Sequence, residues 1–134
     1  MEDVLKPGKT TYYTRRVGPA DLAHFDEQKV HDVYATFALA RDAEWTTRQF
    51  ILPLLGDKFE GVGTYVKVRH LAPAFPGEQI TFSGVIYAYA DSELHCTFEA
   101  YVGERKIADG KTGQKIVDKH RLNEYFSQIQ GEKG

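Results

Sequence analysis

One helical pattern followed by four strand patterns, with almost no chain between them, is the feature that most narrows what this sequence can fold into. From about Thr36 to Leu55 the apolar residues Leu39, Ala40, Ala43, Trp45, Phe50, Ile51, Leu54 and Leu55 recur mostly at three- and four-residue intervals, and Gly56 stands where a helix would end. Pro53 removes a hydrogen bond near the end of that run and predicts a frayed or kinked last turn. The segments 62–72, 78–90, 93–102 and 105–117 then have strand chemistry, and Asp91-Ser92 and Gly103-Glu104 are short enough for hairpin turns. Ile80, Phe82, Gly84 and Ile86 alternate with other residues, as do Leu94, Cys96, Phe98 and Ala100, so one face of an antiparallel sheet is buried.

Upstream, residues 8–17 read as a first strand that stops at Gly18-Pro19, and the charged stretch 19–33 reads as a short helical turn and then a loop. Residues 119–130 suggest a terminal helix and 131–134 a frayed tail. The expected architecture is α+β in one domain over residues 1–134: one long central helix wrapped by a five-stranded antiparallel sheet, which is the architecture of the hotdog fold. A single curved layer leaves edges exposed. Such folds dimerise by joining sheets or pairing helices, so a homodimer with pockets at the subunit boundary is expected, and dimers could pair further into a tetramer.

The 134 residues suffice for one core without disulfide or metal. Charged residues at 27% and hydrophobic residues at 42%, with a mean hydropathy of -0.44, belong to a soluble globular chain. A net charge of -2 leaves no basic footprint for nucleic acid or an anionic membrane, although Lys115, Lys119 and Arg121 form a local group that could hold a phosphate. The N-terminal residues show no signal-peptide pattern, and no apolar run nears the roughly 20 residues that span a bilayer. A cytoplasmic location is expected, in keeping with the single cysteine, Cys96, which reads as a packed strand residue rather than a nucleophile.

No phosphate-binding glycine loop, Gly-x-Ser-x-Gly elbow or metal-spaced His/Cys set is present, so no metal is expected. His24, His31, His95 and His120 are read as loop, strand-face or terminal residues. His70 differs by ending the β-run from Thr64 just before a turn, and strand ends beside a helix are where pockets open. Taken alone it is still more often structural, and Glu44 has Arg41 and Arg48 at helical spacing as simple surface partners.

Taken together, however, several blocks in order resemble the fluoroacetyl-CoA thioesterase family of hotdog proteins. They are Val33-Tyr-Ala-Thr36, Glu44-Trp45 eight positions after Thr36, Val62-Gly63-Thr64, and Val68-Arg-His70 with Ala72 and Pro76-Gly77 behind it. The likeness covers roughly residues 33–118. It implies an acyl-CoA thioesterase acting on a small or medium acyl group, with CoA as part of the substrate and no other cofactor. It also implies Thr36, Glu44 and His70 as catalytic residues, and Gly63 as a glycine whose backbone lies against the acyl group. Those types suit thioester hydrolysis, which needs a nucleophile or base, donors for the oxyanion and a proton for the thiolate.

Two positions depart from the family's pattern. Arg41-Asp42 replace small or apolar residues, which implies a less buried helix or a polar face turned to the second subunit. No aromatic lid is matched, Phe25 and Phe37 being read as core, so selectivity for a fluorinated substrate is not implied. A hotdog enoyl-thioester hydratase or dehydratase, and a non-catalytic acyl-CoA or small-ligand binding dimer, are the rival readings. The first lacks its Asp and His pair here, and the second stands because fold does not determine function.

Overall fold

The computed structural model describes residues 1, 3–25 and 28–132. The strands are β1 (Thr10–Arg16), β2 (Leu22–Phe25), β3 (Gln28–Tyr34), β4 (Phe59–His70), β5 (Gln79–Ala90), β6 (Glu93–Val102) and β7 (Arg105–Asp118). The helices are α1 (Thr36–Arg48), α2 (Leu52–Leu55) and α3 (Lys119–Glu132). Five strands form one antiparallel sheet in the order β1-β5-β6-β7-β4, and β2 and β3 form a separate hairpin. The hotdog expectation therefore holds, with α1 lying across the concave face.

The inward residues make the core. Ile80, Phe82 and Ile86 of β5 and Leu94, Cys96, Phe98 and Ala100 of β6 are buried, as the alternation required; Ala38, Leu39 and Ala43 of α1 pack with Ile80, Phe82, Phe98 and Ala100, and Phe50 and Ile51 with Ile86, Leu94 and Cys96. Burial pushes the Cys96 thiol up to about 12, which leaves it protonated and inert.

The structure differs from the sequence reading in three places. The helical run divides into α1 and the one-turn α2 because Pro53 cannot donate to a continuing ladder. The stretch 19–33 holds a 3-10 turn at Pro19–Asp21 and then the β2-β3 hairpin instead of a loop. The terminal helix runs on through Gly131 and Glu132, and Lys133 and Gly134 lie outside the described residues.

Of Arg41 and Asp42, only Asp42 is buried; Arg41 lies on an exposed face of the helix and bends back to the buried carboxylates. Asp42 and Asp21 are buried, and Arg41 donates to both: Nη2 to Asp21 Oδ1 at 2.9 Å and to Asp42 Oδ2 at 2.9 Å, and Nε to Asp42 Oδ1 at 3.0 Å. Arg15 of β1 also binds Asp21, at 2.9 and 3.2 Å, and the buried Tyr34 hydroxyl donates to Asp42 Oδ2 at 2.5 Å. The Gly18 N–H adds a bond to Asp21 Oδ2 at 2.9 Å. Burial alone would raise the Asp21 pKa, but the Gly18 N–H and the two guanidiniums together outweigh it and hold the carboxyl below its usual value.

Removing one member of such a cluster leaves the others poorly compensated. Asp21→Ala is expected to cost about 3 kcal/mol in urea unfolding, the low end for a broken buried pair because both guanidiniums reach water. With the folded pKa lowered, Asp21's contribution is present above the unfolded value of about 3.9 and is lost as the pH falls through the folded one. The gap in urea midpoint between wild type and Asp21→Asn should accordingly narrow below pH ~4; a gap that is constant with pH would exclude this linkage.

Candidate active site

Thr36 and His70 meet where the entrance of α1 passes the end of β4. Ala35 is the N-cap residue and supplies no side-chain cap, so Thr36 is the first helical residue and its hydroxyl is not used for capping. Thr36 Oγ1 lies 3.1 Å from His70 Nδ1. Backbone bonds fix the junction on both sides: Ala35 N–H to Asp21 O at 2.7 Å, Tyr34 N–H to Ala74 O at 2.8 Å, and Leu71 N–H to Ile107 O at 2.7 Å. The loop after His70 is further held by Arg105, whose two terminal nitrogens reach Glu78 Oε1 at 2.9 Å and Oε2 at 2.8 Å. That bidentate pair sets the Glu78 carboxyl at about 2.

His70 is half-buried, and its Nε2 is buried without a hydrogen-bond partner among the described residues. Burial lowers its pKa below the ordinary histidine value, against a smaller opposing effect of the Ala72 backbone. The imidazole is thus neutral at pH 7 and can accept a proton.

Glu44 sits elsewhere on the same helix. Eight residues of α-helix separate it from Thr36, a rise of about 12 Å. Its carboxylate lies against Gly63 of β4: a Cβ added at Gly63 would overlap Glu44 Oε1 and stand 3.1 Å from its carboxyl carbon. Neither neighbouring arginine is its partner. Arg41 is committed to Asp21 and Asp42, and Arg48 Nη1 donates to Gly61 O at 3.0 Å. The four expected site residues therefore come together as two pairs, Thr36 with His70 and Glu44 with Gly63.

A β-bulge makes both pairs possible. Seven positions apart, Gly63 and His70 would point to opposite faces of a regular strand. The β4-β7 register shifts between Gly63 and Tyr65, so Thr64 is left without a cross-strand partner and the side-chain parity reverses there. Gly63 and His70 then both face α1. Thr64 Oγ1 donates to Glu93 Oε2 at 2.5 Å, and Gly113 across the ladder has no Cβ to collide with Thr64 and Tyr65.

Sequence reasoning missed the residues behind Glu44. Gln114, buried on β7, donates Nε2 to the Glu44 carbonyl at 3.1 Å and to Thr47 Oγ1 at 3.0 Å, and Thr47 Oγ1 lies 2.8 Å from Thr112 Oγ1. The available signal was polar residues at inward positions of a strand: Thr112 and Gln114 alternate with the buried Ile116. Phe37, read as core, is 49% exposed beside Thr36, and the side chain of Phe25, like those of His24 and His31, lies outside the described residues.

The clefts beside α3 lie apart from both pairs. One of about 560 Å³ is lined by Lys58, Lys115 and Arg121 among others, and one of about 480 Å³ by Lys58 and Lys119.

A family model described as fluoroacetyl-CoA-specific thioesterase matches residues 17–120. A Thermus thermophilus hypothetical protein, a thioesterase superfamily member, superposes with a TM-score of 0.90 at 30% identity, over 96% of this chain and 95% of that one. The fluoroacetyl-CoA thioesterase FlK gives 0.83 at 21% identity over 92% and 96% of the two chains. A hot-dog-like protein from Thermanaerovibrio acidaminovorans gives 0.86 at 17% identity over 95% and 94%. No curated protein matches the chain significantly.

By NMR, the His70 imidazole is expected to titrate below about 6.5. The stability linked to it should be complete above that value and erode as the pH falls through it, since the unfolded state takes the proton first. A His70 midpoint above 6.5 would rule out a neutral imidazole held by burial.

Proposed function

The chain belongs to the fluoroacetyl-CoA-specific thioesterase family and is an acyl-CoA thioester hydrolase, and we propose that it acts as a homodimer whose sites are shared between subunits. In each site, Thr36 and His70 of one protomer face the partner's Glu44 and the partner's Gly63. The separation of the two pairs within one chain carries this reading: about 12 Å along α1 is too far for Glu44 and His70 to act on the same carbonyl.

Strand β4 supports it. β4 is an outer strand of the sheet, so one edge of its backbone lacks a strand partner among the described residues. Joining two copies there into one continuous sheet, with both helices on the same side, requires a two-fold axis perpendicular to the sheet and hence antiparallel β4 strands. The His70 end of each strand then comes beside the Gly63 half of the other.

The chemistry assigns a role to each group. The partner's Glu44 carboxylate attacks the thioester carbonyl or activates water for that attack. The first-turn N–H groups of α1, which have no intrahelical acceptors, stand where the oxyanion develops. His70, neutral at the outset, takes a proton from the water that attacks the carbonyl, or that hydrolyses the acyl-Glu44 anhydride, and passes it to the CoA thiolate released when the C–S bond breaks, while the Thr36 hydroxyl orients the ring. Gly63 leaves room for the thioester against backbone.

Structures of FlK variants hold fluoroacetate with CoA, or acetyl-CoA, which supports a small acyl-CoA as substrate here. To the CoA phosphates we assign the cleft with Lys58, Lys115 and Arg121, whose three cations suit them. No cofactor beyond that CoA is proposed, and a cytoplasmic location fits the lone buried thiol. No helix among the described residues is long and apolar enough to cross a membrane.

Glu44→Gln and His70→Ala should each lower kcat/KM for acetyl-CoA by at least ~100-fold. Mixing the two inactive variants is the decisive assay. A shared site leaves one intact centre in every heterodimer and should recover about a quarter of wild-type activity after statistical exchange. No recovery, with exchange verified by mass spectrometry, would sink the shared site. Gly63→Ala should lower kcat/KM at least ~10-fold with an unchanged circular dichroism spectrum, because the Glu44 carboxylate must move.

A further inference from the structure

Helix α3 carries an apolar stripe that its own chain covers only in part, Leu122 and Ile129 being half-buried and Tyr125 and Phe126 exposed. Leu122, Tyr125, Phe126 and Ile129 recur at helical spacing on one face, with Tyr125 57% and Phe126 49% exposed. The helix starts at a defined corner of the sheet. Asp118 pairs with Phe59 across the β4-β7 ladder, and the Lys119 N–H donates to Lys58 O at 2.8 Å. α3 therefore springs from the Phe59 end of the edge strand β4.

A second exposed apolar group lies at the opposite end of that strand. Phe37 (49% exposed), Leu71 (47%) and Phe75 (46%) follow or flank Thr36 and His70. Within one chain the two groups are out of reach of each other. The 12 residues of β4 extend about 40 Å, whereas the 14 residues of α3 extend only about 21 Å.

Antiparallel pairing of two β4 edges changes this, because it brings the Phe59 end of each strand beside the His70 end of the other. We infer that α3 of each protomer packs its Tyr125-Phe126 face on the partner's Phe37, Leu71 and Phe75 and so forms the outer wall of the partner's Thr36–His70 centre. The inference rests on the β4-paired dimer proposed above. Area favours a second copy as the occupant. Half-exposed aromatics of this size contribute about 100 Å² each, so the two symmetric contacts remove about 1,000 Å² from water. These contacts come close to the roughly 1,200 Å² or more of a stable interface, and pairing of the two β4 strands adds to them.

Site-directed cross-linking of the full-length chain tests this. Phe126→Cys and Leu71→Cys are made separately, mixed to exchange subunits, and treated with a short bis-maleimide; the native Cys96 is buried and its thiol is protonated, so it stays silent. The expected result is a covalent dimer in the mixture that neither variant forms alone. Phe126→Glu should weaken dimerisation at least ~10-fold by analytical ultracentrifugation and raise the KM for acyl-CoA. A wild-type dimer that shows no cross-link and is unmoved by Phe126→Glu overturns the α3 contact and leaves the paired sheet standing. A monomeric wild type overturns both. Binding to phosphatidylglycerol vesicles that Phe126→Glu abolishes, with the dimer unchanged, would assign the stripe to a lipid surface and overturn the inference.

Discussion

Two buried carboxylates, Asp21 and Asp42, held by Arg15, Arg41 and Tyr34, are what the arrangement of this small domain depends on. The cluster joins the first strand of the sheet, the 3-10 turn, β3 and the second turn of the central helix. It thereby fixes the angle at which α1 enters the concave face. Hydrophobic burial is non-directional and would tolerate the helix sliding or turning over Phe82 and Phe98. A charge-assisted network with bonds of about 3 Å does not, because any slip leaves a carboxylate buried and unpaired. Thr36 follows directly from that anchoring: the Ala35 N–H is bound to the Asp21 carbonyl, and the next residue faces His70.

Much of the fold could be read from the sequence because local chemistry and tertiary context agreed. In β5 and β6 the alternating apolar residues, the two-residue turns and the final burial all point the same way. The β2-β3 hairpin was missed because its residues, from Leu22 to Tyr34, mix charge and apolar types without alternation, and its register is itself irregular. The role of Arg41-Asp42 within the chain was not legible for a different reason. A charged pair inside a helix reads as a solvated face unless its partners are known, and Arg15 and Asp21 are distant in sequence.

The candidate site was legible as residue types and not as geometry. Thr36, Glu44, Gly63 and His70 stand out through the resemblance to the thioesterase family, but that resemblance does not state that a bulge at Thr64 reverses the parity of β4 between Gly63 and His70. Gly61, Gly63 and Thr64 close together on an edge strand are the composition in which bulges occur, so the signal existed without being decisive. Gln114 was hidden because an inward amide has meaning only once its acceptor, the Glu44 carbonyl, is in place.

A single antiparallel layer wrapped on one helix has limited concave surface, and α1 fills most of it. Glycines at 61 and 63 let the helix approach the edge strand so closely that Ile51, Arg48 and Glu44 occupy the space their side chains would have taken. Little room remains inside one protomer for a ligand the size of an acyl thioester. Chemistry in such a fold is driven to the sheet edge, where the proposed dimer supplies the missing wall from a second copy. In that proposed dimer the edge strand does two jobs, presenting its backbone to the partner and aiming Gly63 and His70 at the helix. The bulge at Thr64 reconciles them, because it re-aims the side chains within the strand and leaves long runs of regular backbone on both sides of it for pairing.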